Sequence, residues 1–317
     1  MTKKNDVDLA TYHNKRKPRL LPKAMEDALG PGGMLNPVLR KVTGDADQKL
    51  RLEIRDRRFN LYYRGGNLML VDGRGKSSLS LHFDKKYFNH TTILPPDLPK
   101  ECTAVNVIRW LEAFPDLTAG MDRWWTHHPQ GERDHCQKIA TQNSGMLGRP
   151  AGDYLVLDLE YEYAKCRFDM IAAKRRITRN DPDGWEEPDL VFVEVKSAPG
   201  ACAGVSGLEA HARDYRKIIT SGDGQPITRI KEEYQDLIAQ KMRLGLLGKD
   251  LGFKRFSSAV PELLFILVAL DMKDPKLQTP LEKARDVLGL HANIAPGLFM
   301  VIHPSDTYGL KKPEEAI

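Results

Sequence analysis

Residues 189–196 read Asp-Leu-Val-Phe-Val-Glu-Val-Lys, with Glu194 and Lys196 two apart inside a run of apolar β-formers. In an extended chain alternate side chains share a face, so Leu190, Phe192, Glu194 and Lys196 point one way and the valines the other. Two charges on a strand that is otherwise apolar on both faces are expensive unless they pair or hold a metal. A second acid on a neighbouring strand would turn the pair into a candidate cation site. Asp189 does not fit that role, because it lies five residues upstream on the same strand, about 16 Å away at ~3.3 Å per residue, and has the opposite parity. Asp169, in Cys-Arg-Phe-Asp-Met-Ile-Ala, fits better: the chain between 174 and 189 lets its strand lie beside residues 190–196.

Two carboxylates and a lysine without a His/Cys cluster suit a hard cation such as Mg²⁺, which prefers carboxylate oxygen and keeps several waters. Such an ion polarises a phosphoryl oxygen and supplies hydroxide near neutral pH. A lysine beside the water orients it or stabilises developing negative charge.

The elements that must position these residues follow from periodicity. Tyr-Leu-Val-Leu-Asp-Leu-Glu-Tyr-Glu-Tyr from Tyr154 and Cys-Arg-Phe-Asp-Met-Ile-Ala-Ala-Lys-Arg from Cys166 are two strands joined by a tight turn at Ala164-Lys165. A polar loop leads to the strand that carries Glu194, then two helices, a buried strand at 263–270 and a last strand near 298–303. With a helix near Glu132 in front, the order is α-β-β-β-α-α-β-α-β, a mixed sheet flanked by helices. In 154–163 the residues Asp158, Glu160 and Glu162 share a parity, and a two-residue turn would set Glu160 opposite Asp169. That acidic stripe is either a solvated strand face or gives Asp158 or Glu160 a metal-binding or supporting role. His211 and Tyr215, four apart, share one helix face.

Asp169 followed by Glu194-Val195-Lys196 on adjacent strands after a helix resembles the PD-(D/E)XK nuclease superfamily over roughly residues 130–270, with the last strand as an extension. The resemblance implies a restriction-endonuclease-like fold and a metal-dependent nuclease. In it Asp169 and Glu194 bind Mg²⁺, with Mn²⁺ as a substitute, and Lys196 positions or activates water. It also implies a third acid from the preceding helix, which Glu132 matches, although a Glu at a helix start also stabilises the helix dipole. His211 and Tyr215 resemble a variant of a Gln/Tyr pair found at that spacing in some members. The chain departs from the pattern at Phe168, where the name-giving Pro would stand, and in the length of the loop between the motifs.

Residues 49–71 alternate apolar and polar and predict antiparallel strands with a hairpin at Gly65-Gly66-Asn67. A third strand is expected at 77–83 and helices over 102–114 and around Met121, Trp124 and Trp125. The expected organisation is a basic arm over 1–24, a β-rich then helical region over 25–128, the nuclease-like α/β domain over 129–305 and a tail over 306–317. Arginines and aromatics in 57–67 could stack on nucleic acid, or form a half-buried hairpin with solvated arginines.

At 317 residues, 41% hydrophobic and 29% charged, the composition is that of a globular protein. The longest apolar run, 263–270, is too short for a membrane helix, and the N-terminus does not have the shape of a signal peptide. Four isolated cysteines fit a reducing, cytoplasmic setting rather than a disulfide or zinc scaffold. Residues 1–23 carry seven Lys/Arg against two Asp, and the rest balances at 41 of each sign. A basic arm on a neutral body can track phosphates. The expected partner is nucleic acid, DNA before RNA, with no membrane, and a homodimer or a protein partner through the N-terminal region. The alternative reading is a catalytically inactive nuclease-fold module that binds nucleic acid or a protein. P-loop, nucleophile-elbow and dinucleotide-binding motifs are absent.

Overall fold

The computed structural model describes residues 18–45, 47, 49–74, 78–89, 94–129, 131–146, 150, 152–221, 224–289, 299–303 and 308–311. Two compact units emerge, one comprising Pro18–Thr141 with Asp236–Lys249 and the other the rest of the described chain. Together they are mixed α/β, with a four-stranded antiparallel sheet in the first unit and a five-stranded mixed sheet in the second. Among the described residues no helix is long and apolar enough to cross a membrane.

The first unit opens with α1 (Lys23–Leu29) and α2 (Asn36–Thr43), followed by a meander of β1 (Leu50–Arg55), β2 (Arg58–Tyr63), β3 (Gly66–Asp72) and β4 (Ser80–His82). Residues 50–72 form three strands rather than two. The unforeseen break is a two-residue turn at Asp56-Arg57, with Arg57 at φ 51. The second hairpin turns at Arg64-Gly65, one residue before the expected place, and pairs Tyr63 with Gly66. Gly65 sits at φ 74, and a Cβ there would lie 2.5 Å from the Arg133 carbonyl oxygen, so its side is closed to any other residue. One face of this sheet is apolar, with Leu52, Ile54, Phe59, Leu61, Met69 and Val71 all buried. Then come α3 (Ala104–Glu112), capped by the Thr103 hydroxyl on the Asn106 amide, α4 (Phe114–His127) and α5 (Gly131–Gln142).

The second unit carries β5 (Tyr154–Tyr163), β6 (Cys166–Lys174) and β7 (Asp189–Lys196), then α6 (Leu208–Thr220), the start of α7 (Gln225–Arg243, which belongs to the first unit from Asp236 on), β8 (Glu262–Val268), α8 (Pro275–Leu288) and β9 (Phe299–Ile302). The sheet order is β5-β6-β7-β8-β9, antiparallel up to β7 and parallel beyond it. β7 is therefore central and reads as a continuous apolar run up to Val193, as a strand covered on both faces should. Ala164 and Lys165 both take positive φ, 49 and 70, which makes the β5–β6 link a two-residue turn whose twist matches the strands.

Residues 1–17 of the expected basic arm lie outside the described residues. Of its remainder, Arg19 and Leu21 are buried and Lys23 opens α1. Of the expected tail, residues 308–311 are described. Leu310 is buried, its amide donates to Asn143 Oδ1 (2.9 Å) and its carbonyl accepts from the Asp153 amide (2.8 Å).

Candidate functional site

The charged end of β7 is where the central strand runs out of neighbours on one side. Antiparallel pairing with β6 runs from Lys174↔Asp189 to Met170↔Val193 and stops there. The next position on each strand is Asp169 on β6 and Glu194 on β7. Instead of continuing the ladder, the Asp169 carboxylate takes over the role of a backbone acceptor: Val195 N–H donates to Oδ2 at 2.8 Å. Asp169 is half-buried at this edge.

Glu194 and Lys196 are each only 3% exposed. Lys196 Nζ donates to Glu194 Oε1 at 2.6 Å. His211, from the first turns of α6, brings Nε2 to 2.8 Å of the same oxygen, close enough for an ion contact although not aligned as a hydrogen bond. The other ring nitrogen, Nδ1, lies 3.0 Å from the Arg167 carbonyl. A carbonyl can only accept, so Nδ1 carries a proton, and a carboxylate faces the opposite nitrogen. Burial by itself would lower the His211 pKa, but the contact with Glu194 outweighs it and the net shift is upward. Glu194 Oε2 is buried and has no hydrogen-bond partner among the described residues.

Below these charges lies an aromatic floor. Phe192 packs on Phe168 at 4.7 Å between ring centroids and meets Tyr215 edge-on at 6.0 Å, and Phe168 lies 6.3 Å from the His211 ring. Such surroundings keep the local dielectric low, which strengthens each charge interaction and makes an unpartnered one costly.

The raised His211 pKa has a testable consequence for stability. A group whose folded pKa lies above its unfolded value, ~6.5 for His, adds stability that is fully present below that value. The contribution is lost as pH rises through the folded pKa. In EDTA, the thermal midpoint of the native chain should exceed that of His211→Gln by more at about pH 5.5 than at about pH 8.5. A gap that stays constant with pH would show that the ring does not titrate against Glu194.

The remaining candidates are distributed as follows. Asp158 is fully buried and accepts from the Tyr234 hydroxyl at 2.9 Å, while Glu160 and Glu162 are exposed. The acidic stripe is thus split: the register of β5 is constant from Asp158 to Tyr163, but within that run Glu160 adopts φ 52 and leaves the regular strand conformation. Tyr161 and Leu159 pair with Phe168 and Met170, which leaves Glu160 and Asp169 between them. Tyr215 donates its hydroxyl to the Pro261 carbonyl at 2.6 Å, and burial pushes its pKa up to about 12. It packs under the site and holds a loop. Glu132 is half-buried in the first turn of α5, in the first unit. Asp189, half-buried at the far end of β7, accepts from the Ser257 hydroxyl. The backbone partners of the site, the Arg167 carbonyl and the Val195 amide, had no signal in the residue types and follow only from the register.

Among the described residues no group of three or more His, Cys, Asp and Glu side chains is placed to hold a metal ion. The chain matches no family model, no curated protein and no solved structure.

Proposed function

We propose that this protein is a metal-dependent nuclease of the PD-(D/E)XK type, with a restriction-endonuclease-like second unit, that hydrolyses phosphodiester bonds in DNA. The observation that carries this reading is the buried Glu194–Lys196 pair at the open end of the central strand, with Asp169 at the facing register position on the adjacent strand. An isolated structural ion pair needs no second acid at that position and no carboxylate oxygen left unpartnered. Among the described residues Glu194 Oε2 is such an oxygen.

Asp169 and Glu194 would hold the cation, Mg²⁺ with Mn²⁺ as a substitute. Two carboxylates fit Mg²⁺, which is commonly bound by one or two protein acids together with waters and substrate phosphate oxygens. When bound, the ion supplies charge for the phosphoryl oxygens and a water of lowered pKa. The chain's own residues do the rest. Lys196 fixes the Glu194 rotamer through Oε1 and places an ammonium group on the face where the phosphate must lie, where it orients the attacking water. His211 braces Glu194 from α6, and the aromatic floor keeps bulk water from the underside of the site.

A second reading, a nuclease-fold module that binds nucleic acid or a protein without cleaving, draws on one observation: among the described residues no three-ligand metal cluster is formed. Calorimetric titration with Mn²⁺ separates the two, together with cleavage assays on linear, circular and single-stranded DNA and on RNA. The nuclease reading expects Mn²⁺ binding and cleavage in the native chain, and neither in Asp169→Asn. If Glu194→Gln and the native chain behave identically on every substrate and metal, the nuclease reading fails.

A further inference from the structure

The sheet of the first unit ends in a cluster of arginines that the site described above does not use. Arg55 and Arg58 stand directly opposite each other across the Asp56-Arg57 turn, and Arg58 stands opposite Asp72 on β3. Arg74 follows two residues later. Four arginines therefore share this edge with two acids, Asp56 and Asp72. Asp72 is already engaged by Arg74, whose Nη2 lies 2.7 Å from Oδ2 and whose Nε and amide lie 3.0 and 2.9 Å from Oδ1. Arg57 is exposed and donates to the Gly73 carbonyl at 3.3 Å, and buried Arg55 donates to the Ile54 carbonyl at 2.9 Å.

Arg58 is different. It is half-buried, and among the described residues neither a hydrogen bond nor an ion pair reaches its guanidinium. Burial first, and then Arg74 and Arg55, hold its pKa below the ordinary range, with Asp72 only partly offsetting them. A partly desolvated cation beside two others calls for a further anion. The chain also enters this unit here: Arg57 N–H donates to the Leu20 carbonyl at 3.1 Å.

We propose that Arg58, with Arg57 and Arg74 at its rim, binds a backbone phosphate of duplex DNA. The choice of ligand rests on the nuclease reading above. A guanidinium presents a planar fork that matches phosphate oxygens two at a time, and an unpaired one gains most from an anion. The contact is independent of base sequence, because it addresses the backbone only.

The test is fluorescence anisotropy of the intact chain with an end-labelled duplex of about 20 base pairs, in EDTA, from about 50 to about 300 mM salt. Arg58→Gln should weaken binding roughly 3- to 10-fold at the low end and flatten the plot of log affinity against log salt by about one unit, the loss of one phosphate contact. Arg58→Lys, which keeps the charge, should restore the slope. Far-ultraviolet circular dichroism should be the same for all three chains. Native affinity and slope in Arg58→Gln would overturn the proposal, and so would weaker binding with an unchanged slope. Displacement of the duplex by low millimolar inorganic phosphate at matched ionic strength would make this a free-phosphate site instead. A chain that cleaves DNA yet ignores Arg58→Gln loses this surface and keeps the nuclease reading. One that binds through Arg58 and cleaves nothing on any metal does the reverse.

Discussion

Lys196→Met should fold, bind Mn²⁺ and lose cleavage by roughly 10²–10⁴-fold, the usual cost of a missing proton-transfer or water-orienting group. Breaking a buried ion pair commonly costs about 3–5 kcal/mol, because one charge is left stranded. Here Glu194 keeps His211 at 2.8 Å from the same carboxylate oxygen, so the loss in stability should fall short of that range. Met preserves length and apolar volume in a position that is 3% exposed. The expected pattern is therefore a split, with near-native unfolding midpoint and metal binding but a collapsed rate. Asp169→Asn should behave differently, losing metal binding and rate together. A Lys196→Met chain that cleaves at the native rate removes the lysine from the chemistry. One that does not fold shows that the pair serves the core.

The largest loss of stability is expected in the first unit, at Glu53. Its side chain on β1 is wholly buried and holds two cations, Lys241 Nζ at 2.8 Å and the Arg51 guanidinium, which also donates to the Ala140 carbonyl at 2.8 Å. Lys241 is itself 3% exposed. Glu53→Ala would leave that ammonium buried without its carboxylate, at about 3–5 kcal/mol. Replacing both members by apolar residues, Glu53→Leu with Lys241→Leu, should recover part of this, because the buried ammonium leaves with its carboxylate while Arg51 still donates to the Ala140 carbonyl. Urea unfolding of the three chains measures it. If Glu53→Ala unfolds at the native midpoint, water reaches Lys241 and the cluster is not dry.

How far the sequence anticipated these arrangements depended on whether the signal was local. The strand order of the second unit, the Ala164-Lys165 turn and the shared face of Glu194 and Lys196 all follow from period and turn chemistry within a few residues. The position of Asp169 opposite Glu194 follows from counting along two paired strands. What failed to show was either non-glycine or distant. The Asp56-Arg57 turn escaped notice because Arg57 takes a positive φ that residue type does not advertise. The stripe of Asp158, Glu160 and Glu162 broke at Glu160, whose positive φ residue type does not advertise either. His211 was legible as a helix-face residue, but its grip on Glu194 depends on how α6 lies against the sheet. Glu53 stands at a polar position of an alternating strand, and the buried ammonium that pairs with it comes from 188 positions away.

That separation has a consequence for how the chain is made. The first unit is written in two pieces, Pro18–Thr141 and Asp236–Lys249, with most of the second unit between them. Synthesis proceeds at roughly 5–20 residues per second, so Lys241 emerges some ten to forty seconds after Glu53. Throughout that interval the nascent first unit holds a carboxylate whose ammonium partner has not been translated. Its completion therefore waits on the ribosome, and the segment most exposed to premature aggregation or chaperone capture is the meander β1–β4, which is translated early and closes late.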